Sequence, residues 1–127
     1  MQLTPSRAPD MKAQKHAGSS HWWAQRLSSL VLIPLTLWFV FSVLSLIGVD
    51  HMNFLIWQSS LINSLLMALT IIVLFYHIEQ GLRVVAEDYI HDKTLQFSAF
   101  LAIKFFVYIS GITALLAIAR IVFLEAN

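Results

Sequence analysis

The chain has 127 residues, of which 58% are hydrophobic and only 12% are charged, and its mean hydropathy is +0.74. A soluble domain usually carries about a quarter charged residues, so this composition excludes an ordinary water-facing surface and favours one domain surrounded by lipid. The net charge of +1 argues against nucleic-acid binding, and the lack of cysteine excludes disulfides, thiolate zinc sites and cysteine-ligated iron–sulfur clusters in this chain.

Three apolar segments predict three transmembrane helices, at about residues 24–49, 57–86 and 95–123. No Asp, Glu, Lys or Arg occurs within 27–49 or 54–78, and residues 94–119 carry only Lys104. At about 1.5 Å per residue, each segment crosses a hydrocarbon core of roughly 30 Å. Pro34 lies inside the first segment and predicts a kink there. The predicted fold class is therefore an all-α membrane protein.

The segment 1–20 is polar and predicts a flexible cytoplasmic tail, whereas 21–127 predicts the three-helix transmembrane region with short loops at 50–53 and 86–93. Lys and Arg are enriched on the cytoplasmic side of membrane proteins. All basic residues except Arg120 fall on the side of the N-terminus and the second loop, provided that Lys104 snorkels toward it. The sequence therefore predicts a cytoplasmic N-terminus and a periplasmic C-terminus for a bacterial inner membrane, or a matrix-facing N-terminus for a mitochondrial one.

His77 is the first candidate for chemistry, because an ionisable residue at membrane depth is costly and suggests a function. It follows the apolar run 71–76 and lies roughly 13 Å from the inner end of the second helix, near Ala86. Neutral imidazole is a good axial ligand for haem iron. A histidine hydrogen-bonded to a neighbouring helix is the alternative, and the sequence leaves both open.

A stripe of four residues, which we call the His77 stripe, shares one face of the second helix because its members are spaced by four, three and four positions: His77, Gly81, Val84 and Asp88. Gly81 would let a flat macrocycle approach the backbone; small-residue helix packing is the alternative.

Asp88-Tyr89 ends the stripe at the inner interface, where a phenolic hydroxyl could donate to a quinone carbonyl; an interfacial tyrosine anchor is the alternative.

Arg26 opens the first helix and is expected at the same membrane level. Its guanidinium suits carboxylates such as haem propionates, although it is also an ordinary positive flanking residue. Glu79 has no assigned role. The remaining histidines are expected in solvated tails or loops, with His91 a minor candidate: His16, His21, His51 and His91.

At these residues the chain resembles the hydrophobic membrane anchor of succinate dehydrogenase, respiratory complex II, in the smaller of its two anchor forms. The similarity lies in His77, Gly81 and Asp88-Tyr89-Ile90-His91, with ten residues between His77 and Asp88. The run His21-Trp22-Trp23-Ala24-Gln25-Arg26-Leu27-Ser28-Ser29 resembles alphaproteobacterial members. The resemblance extends over nearly the whole chain from about Gly18.

The resemblance implies a heteromeric helix bundle in which two anchor subunits hold haem b between them, each providing one axial histidine. His77 matches the axial ligand to the haem iron, and Arg26 matches an arginine near the propionates. Asp88-Tyr89 matches a pair whose tyrosine hydrogen-bonds ubiquinone, the substrate. The implied partners are a cytochrome b type anchor subunit, an iron–sulfur subunit with its clusters, and a flavoprotein subunit with FAD.

The sequence thus predicts a subunit that is not catalytic alone but helps to pass electrons from succinate oxidation to the quinone pool. One mid-membrane histidine supplies only one axial ligand, and three spans cannot enclose a haem without partner helices. The alternatives are an anchor of another quinone-linked complex, such as fumarate reductase, and a non-redox membrane scaffold subunit.

Overall fold

The computed structural model describes residues 11–125, with side chains for 19–124. Within this range the chain forms four α-helices: α1 (Met11–Ser45), α2 (His51–Ser59), α3 (Leu61–Tyr89) and α4 (Lys93–Arg120), followed by a π-helical turn, Ile121–Glu125. Three of the helical segments are long and apolar enough to cross a membrane: Ser19–Ser45, Leu61–Tyr89 and Lys93–Leu124. The prediction of an all-α protein with three membrane spans is confirmed.

Helix α1 begins well before the predicted start at about residue 24, so residues 11–20 of the expected tail are helical. The residues after Pro9 include Ala13, Ala17 and several Lys and Gln residues, which are good helix formers. Residues 1–10 of the predicted tail lie outside the described range. Helix α1 ends at Ser45, four residues earlier than predicted, and the chain turns through Gly48, whose φ of +81° suits glycine.

The polar segment 50–53 is not the simple loop that we predicted, because α2 begins at His51. Ser60 interrupts the helix with an extended ψ of 131°. Side chains from α3 then satisfy the carbonyls that α2 leaves open at its end. Asn63 donates to the Trp57 carbonyl at 2.8 Å and Ser64 donates to the Gln58 carbonyl at 2.5 Å. The second span therefore starts at Leu61, directly after the short helix α2.

The turn between α3 and α4 is shorter than the predicted loop 86–93, because α3 continues to Tyr89 and α4 begins at Lys93. Asp92 caps α4 by accepting a hydrogen bond from the Leu95 N–H at 2.8 Å. The Gln96 side chain donates to the Ile90 carbonyl at 3.2 Å. These bonds place the ends of α3 and α4 side by side.

Helix α3 is the centre of the bundle, since it packs against both α1 and α4. Few large side chains in the described part of the chain are buried, and most of the apolar surface of the spans is exposed. A bare surface of this size suits lipid or other membrane subunits.

Candidate functional site

His77 lies between α1 and α3 and forms a hydrogen bond with the neighbouring helix. The Nδ1 atom of His77 is 2.9 Å from the Oγ atom of Ser28. Ser28 is buried at 4% exposure, and His77 is half-buried. The interhelical contact that was the alternative for His77 is therefore present. It occupies one ring nitrogen, and Nε2 has no hydrogen-bond partner among the described residues.

The surface beyond His77 on the same stripe is open. A Cβ atom added at Gly81 would meet nothing within 4 Å. Val84 is 45% exposed, and Asp88 is exposed. Among the described residues, the small-residue packing that was the alternative for Gly81 is not made there. It is made instead at Gly111, where an added Cβ would lie 3.6 Å from the Phe75 ring. The His77 stripe leaves room for a group or a helix from outside the chain.

Asp88 and Tyr89 stand exposed at the end of α3, and Tyr89 is 81% exposed. Neither side chain has a hydrogen bond or ion pair within the described residues. The carboxylate and the phenol are therefore available to a partner from outside this chain. His91 is also exposed, in the short turn that follows.

Arg26 does not lie at the level of Asp88, as we expected from the sequence. Since Ser28 meets His77, Arg26 lies about 3 Å along the helix from that contact, whereas Asp88 lies about 16 Å from it. The expected level of Arg26 was wrong because α1 begins at Met11, and its first turns therefore lie beside the last turns of α3. The Arg26 guanidinium stacks over the Trp22 ring, 4.4 Å from its centroid.

Side chains two positions apart are about 200° apart around a helix, so Arg26 starts on the far side of α1 from Ser28. It lines a shallow depression with Ser29 and Leu30. Within the described residues, the structure brings His77 together with Ser28 but does not bring Arg26, His77 and Tyr89 into one cavity.

A cleft of about 410 Å³ opens between α1 and α3, on the Tyr89 side of the Ser28–His77 contact. Its lining includes His21, which is on α1 and not in a tail as predicted, together with Gln25, Gln80 and Val84. His51 is likewise helical, as the first residue of α2, and exposed. His16 is on α1, within the range whose side chains are not described.

Glu79 lies on the other side of α3, where it lines two grooves between α3 and α4. Arg83 and Lys104 line one of these grooves with it. Arg83 also pairs with Glu87, at 3.4 Å between Nε and Oε1, and stacks over Phe100. Within the described residues, no group of three or more His, Asp or Glu side chains could hold a metal ion.

Ser28 is the site residue that sequence reasoning missed. It stands in the run that carried the family resemblance, but its partner is 49 positions away. A serine in a membrane helix commonly bonds to its own helix backbone, so the sequence offers no signal that this hydroxyl faces His77. The register between α1 and α3 decides it.

The fold and the site define a small multi-pass membrane protein with an intramembrane histidine beside an open helix face. The family model for succinate dehydrogenase/fumarate reductase transmembrane subunits matches residues 1–117, and the chain belongs to this family. The resemblance stated from the sequence is confirmed.

Named relatives agree with this assignment. The chain is 35% identical to the succinate dehydrogenase membrane anchor subunit of Reclinomonas americana over 89 residues, 67% of this chain and 74% of the relative. It is 30% identical to the hydrophobic membrane anchor subunit of Rickettsia bellii over 103 residues, 80% and 82% of the two chains. The corresponding subunit of Paracoccus denitrificans is 30% identical over 92 residues, 72% and 71% of the two chains. No solved structure matches the chain.

Proposed function

We propose that this chain is a membrane anchor subunit of succinate dehydrogenase that helps to bind haem b and ubiquinone. The observation that carries the proposal is the setting of His77. One ring nitrogen is held by Ser28 of the neighbouring helix, and the stripe that continues from His77 is bare at Gly81. A histidine with one nitrogen fixed and the other free is the arrangement that metal-ligating histidines use.

The residues present fit a haem. Nε2 of His77 would bind the iron, and Gly81, one turn away, adds no Cβ to the surface that a flat macrocycle would cover. Arg26 lies near the level of His77 but starts on the far side of α1, so to serve as the proposed cation for a propionate its side chain would have to leave Trp22 and reach around the helix. When bound, the haem supplies a one-electron redox centre. His77 would be this chain's ligand to the iron, and the partner anchor subunit would supply a second one.

Ubiquinone binding is proposed at Asp88-Tyr89. The phenolic O–H of Tyr89 is a hydrogen-bond donor. Its hydrogen bond to a quinone carbonyl would stabilise the negative charge that develops on reduction. Asp88 would orient Tyr89 or supply protons. Both side chains are exposed in the isolated chain, as a site shared with other subunits requires.

The proposed partners follow from what this chain lacks and exposes. It has no cysteine for an iron–sulfur relay, and the family resemblance implies that the clusters and FAD belong to an iron–sulfur subunit and a flavoprotein subunit. The exposed apolar faces of the spans suit a cytochrome b type anchor subunit and lipid. We therefore propose that the chain is not catalytic alone and works as one part of a succinate:quinone oxidoreductase.

The proposed topology has the N-terminus and Tyr89 facing the cytoplasm in a bacterial inner membrane, because the basic residues cluster on that side. A reporter fused after Asn127 is expected to give a periplasmic signal. The same reporter inserted in the turn 90–92 should give a cytoplasmic one. The reverse pair of signals would refute this orientation.

The family description names fumarate reductase as well, so an anchor that serves fumarate reduction is the second candidate. The experiment that tests both is purification of the whole complex through a tag on this chain. We expect a low-spin b-type haem spectrum and succinate:quinone turnover faster than quinol:fumarate turnover. Faster fumarate reduction would favour the second candidate. A complex with neither haem nor quinone turnover would contradict the proposal and favour a scaffold subunit.

A further inference from the structure

The hydroxyl of Ser28 lies between two acceptor-capable groups, and its single proton can serve only one of them. Its Oγ atom is 2.9 Å from the Gln25 backbone carbonyl oxygen and 2.9 Å from Nδ1 of His77. A carbonyl oxygen cannot donate, so when both contacts are made as hydrogen bonds the Ser28 proton lies toward Gln25. The oxygen of Ser28 is then left to accept, and the proton between Ser28 and His77 must belong to Nδ1.

The direction of this hydrogen bond decides the tautomer of His77. A neutral imidazole that carries its proton on Nδ1 has a free lone pair on Nε2. Ser28 is 4% exposed, so water has little access to compete for its oxygen. The ring nitrogen that remains without a partner among the described residues is therefore the one with the lone pair.

We propose that Ser28 is a positioning residue for His77: it fixes the Nδ1–H tautomer and the ring orientation, so that Nε2 is presented as a metal ligand. This inference rests on the proposed function, in which His77 binds a haem iron. A hydrogen bond from the outer N–H of a metal-ligating histidine also raises the basicity of the ligand. Ser28 would thereby favour ferric over ferrous iron and lower the haem midpoint potential.

The competing explanation is that Ser28 only clamps α1 to α3, and Ser29 provides a matched control for it. The Ser29 hydroxyl donates to the same Gln25 carbonyl at 2.8 Å but makes no contact with His77. Ser29→Ala therefore removes the same type of hydroxyl from the same turn of α1 and leaves the histidine untouched. Ser28→Thr keeps a hydroxyl at the position.

The test is a redox titration and an EPR spectrum of the haem in the purified whole complex. We expect Ser28→Ala to keep a low-spin haem, to raise its midpoint potential and to shift its largest g value. A tenfold loss of preference for ferric iron corresponds to about 59 mV in a one-electron couple, and the rise should be on that order. Ser28→Thr should restore most of the wild-type potential, and Ser29→Ala should match the wild type.

Three outcomes would overturn the inference. A wild-type potential and g value in Ser28→Ala, in a complex whose haem still depends on His77, would refute the role of Ser28 and leave the proposed function standing. Equal shifts in Ser28→Ala and Ser29→Ala would show a general effect of α1. A wild-type complex without a His77-dependent haem would refute the proposed function as well.

If the complex with Ser28→Ala does not assemble, the redox titration is made on the Ser28→Cys complex instead. A thiol has similar size but is a weaker acceptor, so a smaller rise in potential is expected. An unchanged potential in that variant would contradict the inference.

Discussion

The two sides of α3 are held by different kinds of contact. Toward α4 the contact is close packing, with the Phe75 ring against Gly111 and Val107 buried at 4% exposure. Toward α1 a polar bond joins the helices, between Ser28 and His77. In lipid, helix association depends on packing and on interhelical hydrogen bonds rather than on a hydrophobic driving force.

The α4 side uses the first of these, and the groove of about 250 Å³ beside the Phe75–Gly111 contact is lined mainly by apolar side chains. The α1 side uses the second, and it leaves a ring nitrogen and an open glycine next to it. The face of α3 that a polar bond joins to its neighbour is therefore also the face with an unpartnered ring nitrogen and open surface. Substitutions on the two faces should therefore have different effects on haem, on quinone turnover and on stability.

Among single substitutions, we expect the largest effect on ubiquinone reduction at Tyr89, at the end of the face of α3 that meets α1. Tyr89→Phe removes the proposed donor to the quinone carbonyl. Losing such a donor costs about 3 kcal/mol in buried sites, and this exposed site should give less, so we expect ubiquinone reduction to fall at least tenfold. Asp88→Asn should have a smaller effect in the same direction.

The control for Tyr89→Phe is artificial-dye reduction by the soluble subunits, together with the haem spectrum, and both should stay near wild type. If Tyr89→Phe supports wild-type ubiquinone turnover and unchanged inhibitor sensitivity, Tyr89 is only an interfacial anchor.

A substitution at Gly81 tests the open part of the His77 stripe. A Cβ atom added at Gly81 would meet nothing within 4 Å among the described residues, and the rest of the leucine side chain in Gly81→Leu would occupy the surface proposed for the macrocycle. We expect the haem content of the purified complex to fall by more than half, measured against protein. A wild-type haem content in an assembled Gly81→Leu complex would show that no cofactor approaches this face.

The smallest effect is expected at Gly111, on the α4 side. Gly111→Ala places a methyl group in ordinary van der Waals contact with Phe75, at 3.6 Å. Alanine also costs less backbone entropy than glycine in a helix, by about 0.5–1 kcal/mol. We expect an unchanged haem spectrum and an equal or slightly higher Tm of the complex. A lower haem content in Gly111→Ala than in Gly81→Leu would reverse the comparison between the two faces.

The spans could be predicted from the sequence because hydropathy over about 20 residues is a local property. The helix α2 was missed because His51–Asn53 is polar, while the bonds that complete the helix come from Asn63 and Ser64, beyond the break. The level of Arg26 was wrong because it depends on the register between two helices, and register is set by contacts distant in sequence. The pairing of Ser28 with His77 depends on the same register.

The candidate residues were predictable for a different reason. A histidine in an apolar run and an Asp-Tyr pair at a helix end are recognisable as residue types out of place. Their spacing along one helix indicated a shared face, and the open surface at Gly81 agrees with it. Their partners were not predictable, because those lie on another helix or on other subunits.

The most direct test of the central claim, that His77 is a haem ligand, is the reduced-minus-oxidised absorption spectrum of the complex carrying His77→Ala. We expect the low-spin b-type signal to be lost or converted to high spin. His51→Ala, which removes an exposed histidine at the far end of the bundle, should leave it unchanged. An unaltered low-spin spectrum in His77→Ala would contradict the account.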